Sequence, residues 1–373
     1  MTPPSACTPP RFATGPAPLD PQLRKVIAGL DPAQLWEQAR VVALPMKVRF
    51  RGVTVREALL IEGPCGWGEF SPFVEYPPQE AAAWLAAGIE AAYVGLPPVP
   101  AGCPQVPVNA TVPAVAAAQV PQILADFPGC TTVKVKVAEA GLEFAESLAA
   151  DEARVAAVRQ AVPGATIRVD ANRGWSVEQA LVAAERLGPL EYLEQPCAQV
   201  EELAAVGAQL ARRGIFTRVA ADESIRRADD PFAVAHARAA TVAVLKVAPL
   251  GGVRRTVAIA DYLARRSIDV VIASALDTAV GITGGIAAAA LLPRYEDDDA
   301  MPVPPRPAGL ATGNFFSDDV APPRRIADGA VSTAPVAIDP AAVARLTAPP
   351  QRTRWWRERL YATLAALQEQ SAA

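Results

Sequence analysis

Histidine is nearly missing from this chain. The 373 residues contain one, His236, in a stretch (residues 230–239) that reads as a helix. A Ser-His-Asp or Cys-His nucleophile would have to be built on that single ring, and zinc sites made of several histidines are excluded. Cysteine is sparse as well. The five thiols, Cys7, Cys65, Cys103, Cys130 and Cys197, are scattered and form no C-x-x-C pair, which argues against a disulfide framework or structural zinc and fits a reducing cytoplasm. An excess of positive charge is also lacking: 35 Lys plus Arg against 39 Asp plus Glu give a net charge of -4. With no basic stripe to follow a phosphate backbone, we expect no nucleic-acid partner. The one apolar run of membrane length, residues 270–292, is broken by Ser274, Asp277, Thr278, Thr283 and three glycines. It reads as strand, turn and helix, so no membrane span is expected. The first 21 residues are rich in Pro and Ala and lack a basic region followed by an apolar run, so they read as an extension and not as a secretory leader.

Apolar surface is abundant: 51% of residues are apolar and 20% charged, enough for one large core and a smaller domain. Residues 1–39 read as a Pro-rich extension, weakly helical over 19–38. Residues 40–50, 53–62 and 66–70 alternate in period two and read as antiparallel strands, with tight turns at Arg51-Gly52 and residues 64–66. With a helix at 79–94 they make an α+β domain over 40–105. Residues 106–300 change rhythm. Strands at 106–111, 131–137, 167–170, 192–195, 218–222, 242–247 and 270–274 alternate with helices at 140–161, 176–187, 200–213, 231–238, 252–265 and 281–292, the pattern of a parallel sheet. An open doubly wound sheet and a closed barrel share that pattern. The polar residues at or near six strand ends, Asn109, Lys136, Asp170, Glu194, Asp222 and Lys246, favour the barrel, which gathers such ends at one mouth. The expected fold is α/β: a TIM-like (β/α)7β barrel with an α+β capping domain built from the N-terminal part and the C-terminal tail. Residues 301–373 supply the last barrel strand region and the return to the cap. Within them 309–319 read as a loop, 330–338 as an eighth strand or part of the small domain, and 352–368 as an amphipathic helix packed through Trp355, Trp356 and Leu360.

The strand ends carry the chemistry. Lys134 and Lys136 stand two apart, so period two puts both ammonium groups on one face. An edge strand with polar residues outward would look the same. Asp170, Glu194 and Asp222 each end a strand. Three converging carboxylates repel unless a cation holds them, and three hard oxygen ligands with room for water and substrate suit Mg2+, or Mn2+; capping of the following helices is the plainer role for each. Lys246, beyond them in strand order, faces the lysine pair across a barrel, or serves as a structural ion-pair partner. Taken together, a metal flanked by lysines suits proton abstraction beside a carboxylate, with the metal stabilising an enediolate and a lysine taking the proton.

This constellation resembles the enolase superfamily, in its muconate-lactonizing subgroup: K-x-K at Lys134 and Lys136, metal-ligand strand ends at Asp170, Glu194 and Asp222, and Lys246. The likeness covers residues 40 to the end; the forty or so residues before Val41 are a departure. Ser274 stands where the mandelate-racemase type needs a histidine. A closer likeness, to a dehydrating branch of the subgroup, rests on residues 45–52, 66–73, 108–113 and 274–278. The resemblance implies dehydration of a small carboxylate, 2-succinyl-6-hydroxy-2,4-cyclohexadiene-1-carboxylate, in menaquinone biosynthesis. It implies Lys136 as base and then acid, Lys246 as enediolate stabiliser, and Lys134 orienting the substrate and tuning Lys136. Asn172 would support the metal shell, Asn109 and Ser274 would bind substrate, and residues 66–73 and 50–52 would cover the mouth. Glu223 is ambiguous from the residues alone, since strand period two points it away from the mouth if Asp222 points in. Racemisation or epimerisation of N-acylated amino acids or dipeptides uses the same residues. A Schiff-base aldolase on Lys246 and a catalytically dead barrel kept for binding are the other readings, and oligomeric state is left open.

Overall fold

The computed structural model describes residues 17–50, 52–227, 231–293 and 303–372. The start of the expected extension up to residue 16, Arg51 of the first turn, residues 228–230 and the passage 294–302 lie outside the described residues. Period-two alternation builds the first sheet: β1 (Ala39–Phe50), β2 (Val53–Gly63) and β3 (Gly66–Phe70) pair antiparallel in chain order. Against it lies the helix Pro78–Ile89, buried from Ala81 to Ile89. Small residues permit that contact, because a Cβ on Gly68 would stand 1.9 Å from the Gly88 carbonyl oxygen.

Residues 19–37 correct the reading of an extension. Asp20 and Asp31 each cap a helix that begins with proline, Pro21–Gly29 and Pro32–Glu37. These helices bury Leu19, Leu23, Ile27 and Leu35 in the same apolar cluster as Trp84 and the C-terminal helix residues Trp356, Leu360 and Leu364. That helix, Pro350–Ser371, completes the cap.

The strand expected at 106–111 is two elements, β4 (Gln105–Pro107) and β5 (Ala110–Val112). β5 opens a parallel sheet of seven neighbours in chain order, continued by β6 (Thr132–Lys136), β7 (Thr166–Asp170), β8 (Tyr192–Glu194), β9 (Arg218–Ala221), β10 (Val242–Lys246) and β11 (Asp269–Ala273). Two residues expected in irregular chain close it. Ala308 N donates to Pro107 O and Gly309 N to Ile272 O, both at 2.8 Å, while Asn109 N and Ser274 N donate back at 3.0 Å. This short segment is the eighth barrel strand. Gly309 suits it, since a Cβ there would come within 3.1 Å of the Ala273 Cβ. The alternative eighth strand is corrected: Ala330–Ser332 forms β13, which pairs antiparallel with β12 (Ile326–Ala327) and β4 outside the parallel sheet. Among the described residues no helix is long and apolar enough to cross a membrane.

Two cap carboxylates fasten cap to barrel by plugging helix N-termini, where unpaired N–H groups carry partial positive charge. Glu69 of β3 accepts from Thr278 N at 3.1 Å, Thr278 Oγ1 at 2.5 Å and Gly281 N at 2.9 Å, at the start of the helix Ala279–Ala290. Glu90 accepts from Val253 N at 2.5 Å and Arg254 N at 3.2 Å, at the start of Val253–Ala264. Gly252, at φ +120°, is required there: a Cβ would lie 2.3 Å from Glu90 Oε2.

Candidate active site

Parallel register does most of the assembly. Lys136 is paired with Asp170, and Asp170 with Glu194, across β6, β7 and β8. Alternate residues of a barrel strand face inward, so Lys134 joins the same interior face. Asp222 is the first residue past β9 and Lys246 the last of β10. The three carboxylates are buried, Asp170 at 1% exposure and Glu194 and Asp222 at 0%. Each meets a lysine. Lys134 Nζ lies 2.9 Å from Glu194 Oε1 and 3.3 Å from Asp170 Oδ2, Lys136 Nζ 2.5 Å from Asp170 Oδ2, and Lys246 Nζ 2.5 Å from Asp222 Oδ2. The edge-strand and helix-cap roles do not describe this arrangement, whereas an ion pair of Lys246 is present, with Asp222. β6 is an interior strand between β5 and β7, and Asp222, though at the N-cap of the short helix Glu223–Arg226, makes no side-chain cap hydrogen bond.

The charges are unevenly settled. Burial, with the ammonium of Lys134 nearby, pushes the Lys136 amine below the usual lysine range despite the pull of Asp170. Lys134 is held above that range: burial opposes its charge, but Glu194 and Asp170 outweigh the penalty. Burial and the repulsion of Asp170 raise Glu194, whereas Asp170 is kept well below the carboxylate range, against its burial, by Lys136, Lys134 and Lys246. Asp222 is likewise low, burial being overcome by Arg226 and Lys246. Two lysines on one strand therefore hold different tendencies toward the proton, the arrangement expected where one accepts it and the other stays cationic.

Beside them Asn172 takes a left-handed backbone, φ 45°, which asparagine tolerates. Its Oδ1 accepts from Lys136 Nζ at 2.7 Å and its Nδ2 donates to Glu223 Oε1 at 3.2 Å. Glu223 thus turns toward this network, a correction to period-two reasoning: the chain becomes helical at Glu223, where strand alternation no longer applies. Gln195, φ 39° and fully buried, braces the neighbouring strand ends, its Oε1 accepting from Asp222 N at 3.0 Å and Ser224 N at 3.1 Å.

Lys134, Lys136, Asn172 and Lys246 line a cavity of about 30 Å³. It is small because the lysines reach across to the carboxylates. Ser274 lines it too, its hydroxyl 2.6 Å from that of Thr312. Asn109 does not. It precedes β5, toward the opposite end of the barrel interior, and its amide is engaged with Ala110 O at 2.8 Å, Thr111 Oγ1 at 3.3 Å and Arg168 Nη1 at 3.0 Å. The split of the expected strand explains the error, and Thr111 lines the cavity in its place. Among the described residues of the expected covering loops only Phe50 reaches the cavity, its ring centroid 5.5 Å from Lys136 Nζ; the 66–73 segment contributes no lining residue and instead carries the Glu69 fastening. Thr111 and Thr312 were missed, one because the candidate on that strand was placed two residues earlier, at Asn109, the other because it sits on a 3-10 turn in Pro-rich chain. His236 is remote from the constellation, hydrogen-bonded to Tyr262 at 3.0 Å.

Among the described residues no three His, Cys, Asp or Glu side chains already converge on a point that would hold an ion, each carboxylate being drawn to its lysine. The donor set nonetheless fits a hard divalent cation: three buried carboxylates on successive strand ends, with Glu194 raised by its neighbours, and Glu223 Oε2 buried without a hydrogen-bond partner beside them.

Comparison with known proteins agrees with this architecture. The family described as enolase N-terminal domain-like matches residues 41–92, and that described as enolase C-terminal domain-like matches residues 116–336. A muconate lactonizing enzyme from Pseudomonas fluorescens, solved with muconolactone, superposes with a TM-score of 0.66 at 20% identity, over 83% of this chain and 98% of that one. The chain belongs to the enolase superfamily. More particularly, o-succinylbenzoate synthases of Mycobacterium ulcerans and Mycobacterium marinum are 55% and 54% identical to it over 340 residues, 90% of this chain and 96% of theirs, which places it in their family.

Proposed function

We propose that this chain is an o-succinylbenzoate synthase, a carbon-oxygen lyase. It dehydrates 2-succinyl-6-hydroxy-2,4-cyclohexadiene-1-carboxylate to o-succinylbenzoate, a step of menaquinone biosynthesis in the cytoplasm. The observation that carries the reading is the run of three buried carboxylates at consecutive strand ends, flanked by lysines on the strands either side and paired with them, in a chain more than half identical to enzymes of that name. Asp170, Glu194 and Asp222 would hold a divalent cation, Mg2+ or Mn2+, which when bound supplies positive charge to stabilise the second negative charge of an enediolate.

Substrate entry parts the lysines from the carboxylates. Lys136, its amine held below the usual lysine range by burial and by Lys134, takes the proton from the carbon α to the ring carboxylate, and the C–H electrons move into the carboxylate. Those electrons return to form the ring double bond as the β-hydroxyl leaves, and Lys136, now an ammonium, gives that hydroxyl the proton on the same face, releasing water. Lys134, kept cationic, orients the carboxylate and depresses Lys136. Lys246 stabilises the enediolate from the opposite side by its charge, and Ser274 with the backbone after it holds the succinyl tail. Aromatisation makes the elimination steeply downhill, so the enzyme has only the enolisation barrier to lower. Asn109 has no substrate role in this scheme.

A second reading follows from Lys136 and Lys246 lining one cavity: two lysines on either side of an enolate can pass a proton across it, giving racemisation of an N-succinylamino acid. The test is disappearance of freshly made cyclohexadiene substrate followed spectrophotometrically with and without Mg2+, with Lys136→Ala lowering turnover by at least roughly a hundredfold. A near-normal rate in that variant removes the role of Lys136. No conversion, together with solvent deuterium exchange into an N-succinylamino acid, transfers the site to the second reading.

A further inference from the structure

Arg226 lies directly behind the carboxylate ring, its side chain 2% exposed, and each nitrogen of its guanidinium donates to a different residue. Nε donates to Asp222 Oδ1 at 2.9 Å, Nη2 to Glu223 Oε1 at 2.6 Å, and Nη1 to the hydroxyl of Tyr76 at 3.0 Å. The first two lie on the barrel and the third in the cap. Asp222 is thereby gripped on one oxygen, leaving Oδ2 to face Lys246. Glu223 Oε1 also receives the Asn172 amide, whose oxygen holds Lys136. An unbroken polar chain therefore runs from a cap side chain, through Arg226, to Lys136 and Lys246.

The cap end of this chain is firmly seated. The Tyr76 ring packs edge-on to Phe73 and Trp84 at 5.8 and 6.2 Å, and its carbonyl accepts from Arg359 of the C-terminal helix at 2.9 Å. A guanidinium is a planar fork whose N–H groups can serve three acceptors at once, which a lysine ammonium on a flexible stem does not reproduce. We propose that Arg226 is a positioning residue: it orients Asp222 and Glu223 for the divalent cation and ties that orientation to cap seating through Tyr76. The inference rests on the metal-assisted reading above.

The test is binding of Mn2+ alone to the full chain, followed by electron paramagnetic resonance, alongside kcat, KM and thermal melting, for wild type, Arg226→Lys and Tyr76→Phe. Outer partners of metal ligands typically carry a 10–100-fold effect on affinity, so Arg226→Lys should weaken Mn2+ by about 10–100-fold. Tyr76→Phe, which removes one oxygen from a side chain that touches none of the three carboxylates, should weaken it by about threefold to tenfold. A purely structural role would lower Tm and leave the affinity of the folded protein unchanged. Wild-type affinity in both folded variants overturns the proposal, and wild-type affinity in Tyr76→Phe alone overturns the tie to the cap. Should Arg226→Lys fail to fold, Tyr76→Phe decides. A wild-type chain that binds Mn2+ but makes no o-succinylbenzoate removes the functional reading and not this one; a wild-type chain that does not bind Mn2+ removes both.

Discussion

Two groups of buried carboxylates in this molecule are treated differently. At the barrel mouth Asp170, Glu194 and Asp222 face lysines at 2.5 to 2.9 Å. At the seam between cap and barrel, Glu69 and Glu90 face backbone N–H groups at the starts of two barrel helices. A helix N-terminus is a fixed donor array that cannot leave, so the seam carboxylates act as fasteners. A lysine is a movable point charge that can be exchanged for a cation or a substrate. In the proposed mechanism the mouth is held together by interactions that catalysis must break, the seam by interactions that catalysis leaves alone.

Three variants sharpen or break this contrast. The largest effect should come from Glu194→Gln, which removes one carboxylate of the ring: Mg2+ affinity by calorimetry should fall by at least roughly a hundredfold, without a lower Tm, because a carboxylate crowded by its neighbours is relieved of charge. A large drop in Tm with metal binding preserved would make the mouth a structural cluster like the seam. Next comes Glu69→Ala, which strands Thr278 N, Thr278 Oγ1 and Gly281 N and should cost about 2–4 kcal/mol in chemical denaturation, while kcat changes less than about tenfold. If kcat collapses and stability holds, the seam belongs to the catalytic machinery.

The smallest effect concerns Asp277, which sits by the seam with Glu69, Arg56 and Lys246 around it. Burial, and the opposing charge of Glu69, push its carboxyl up to about 7, against Arg56 and its hydrogen bond from Ala275 N. An unfolded aspartate titrates near about 4, so between those values the folded chain holds a proton that the unfolded chain has released. The resulting stability is complete below about pH 4 and drains away as pH rises to about 7. Tm should therefore fall from pH 5 to pH 8, and Asp277→Asn should flatten that fall; an unchanged slope would show that Asp277 does not supply it.

The reach of sequence reasoning can be judged at particular residues. Lys136, Asp170, Glu194, Asp222 and Lys246 were legible because each stands at a strand end in a chain whose strands alternate regularly with helices, and parallel register then brings strand ends together; Lys134 was legible from its two-residue spacing to Lys136. Asn109 was misread because strand 106–111 breaks where the closing segment 308–309 inserts its hydrogen bonds, a contact nearly two hundred residues away. Residues 19–37 read as only weakly helical within an extension, although Pro21 and Pro32 are helix-starting residues behind aspartate caps. The helices are stabilised by a C-terminal partner that local pattern does not contain.

By itself, then, the sequence determined the alternation of strand and helix, the five charged strand ends and the classes of chemistry that one histidine and scattered cysteines exclude. Tertiary structure alone decided that Ala308 and Gly309 close the barrel, that Thr111 and Thr312 line the cavity while Asn109 does not, and that Arg226 reaches from Asp222 to the cap. The physical reason is range. Periodicity and capping are set by neighbours a few residues apart, whereas closure, cavity lining and cap seating depend on hydrogen bonds between segments whose separation in the chain leaves no local pattern to read.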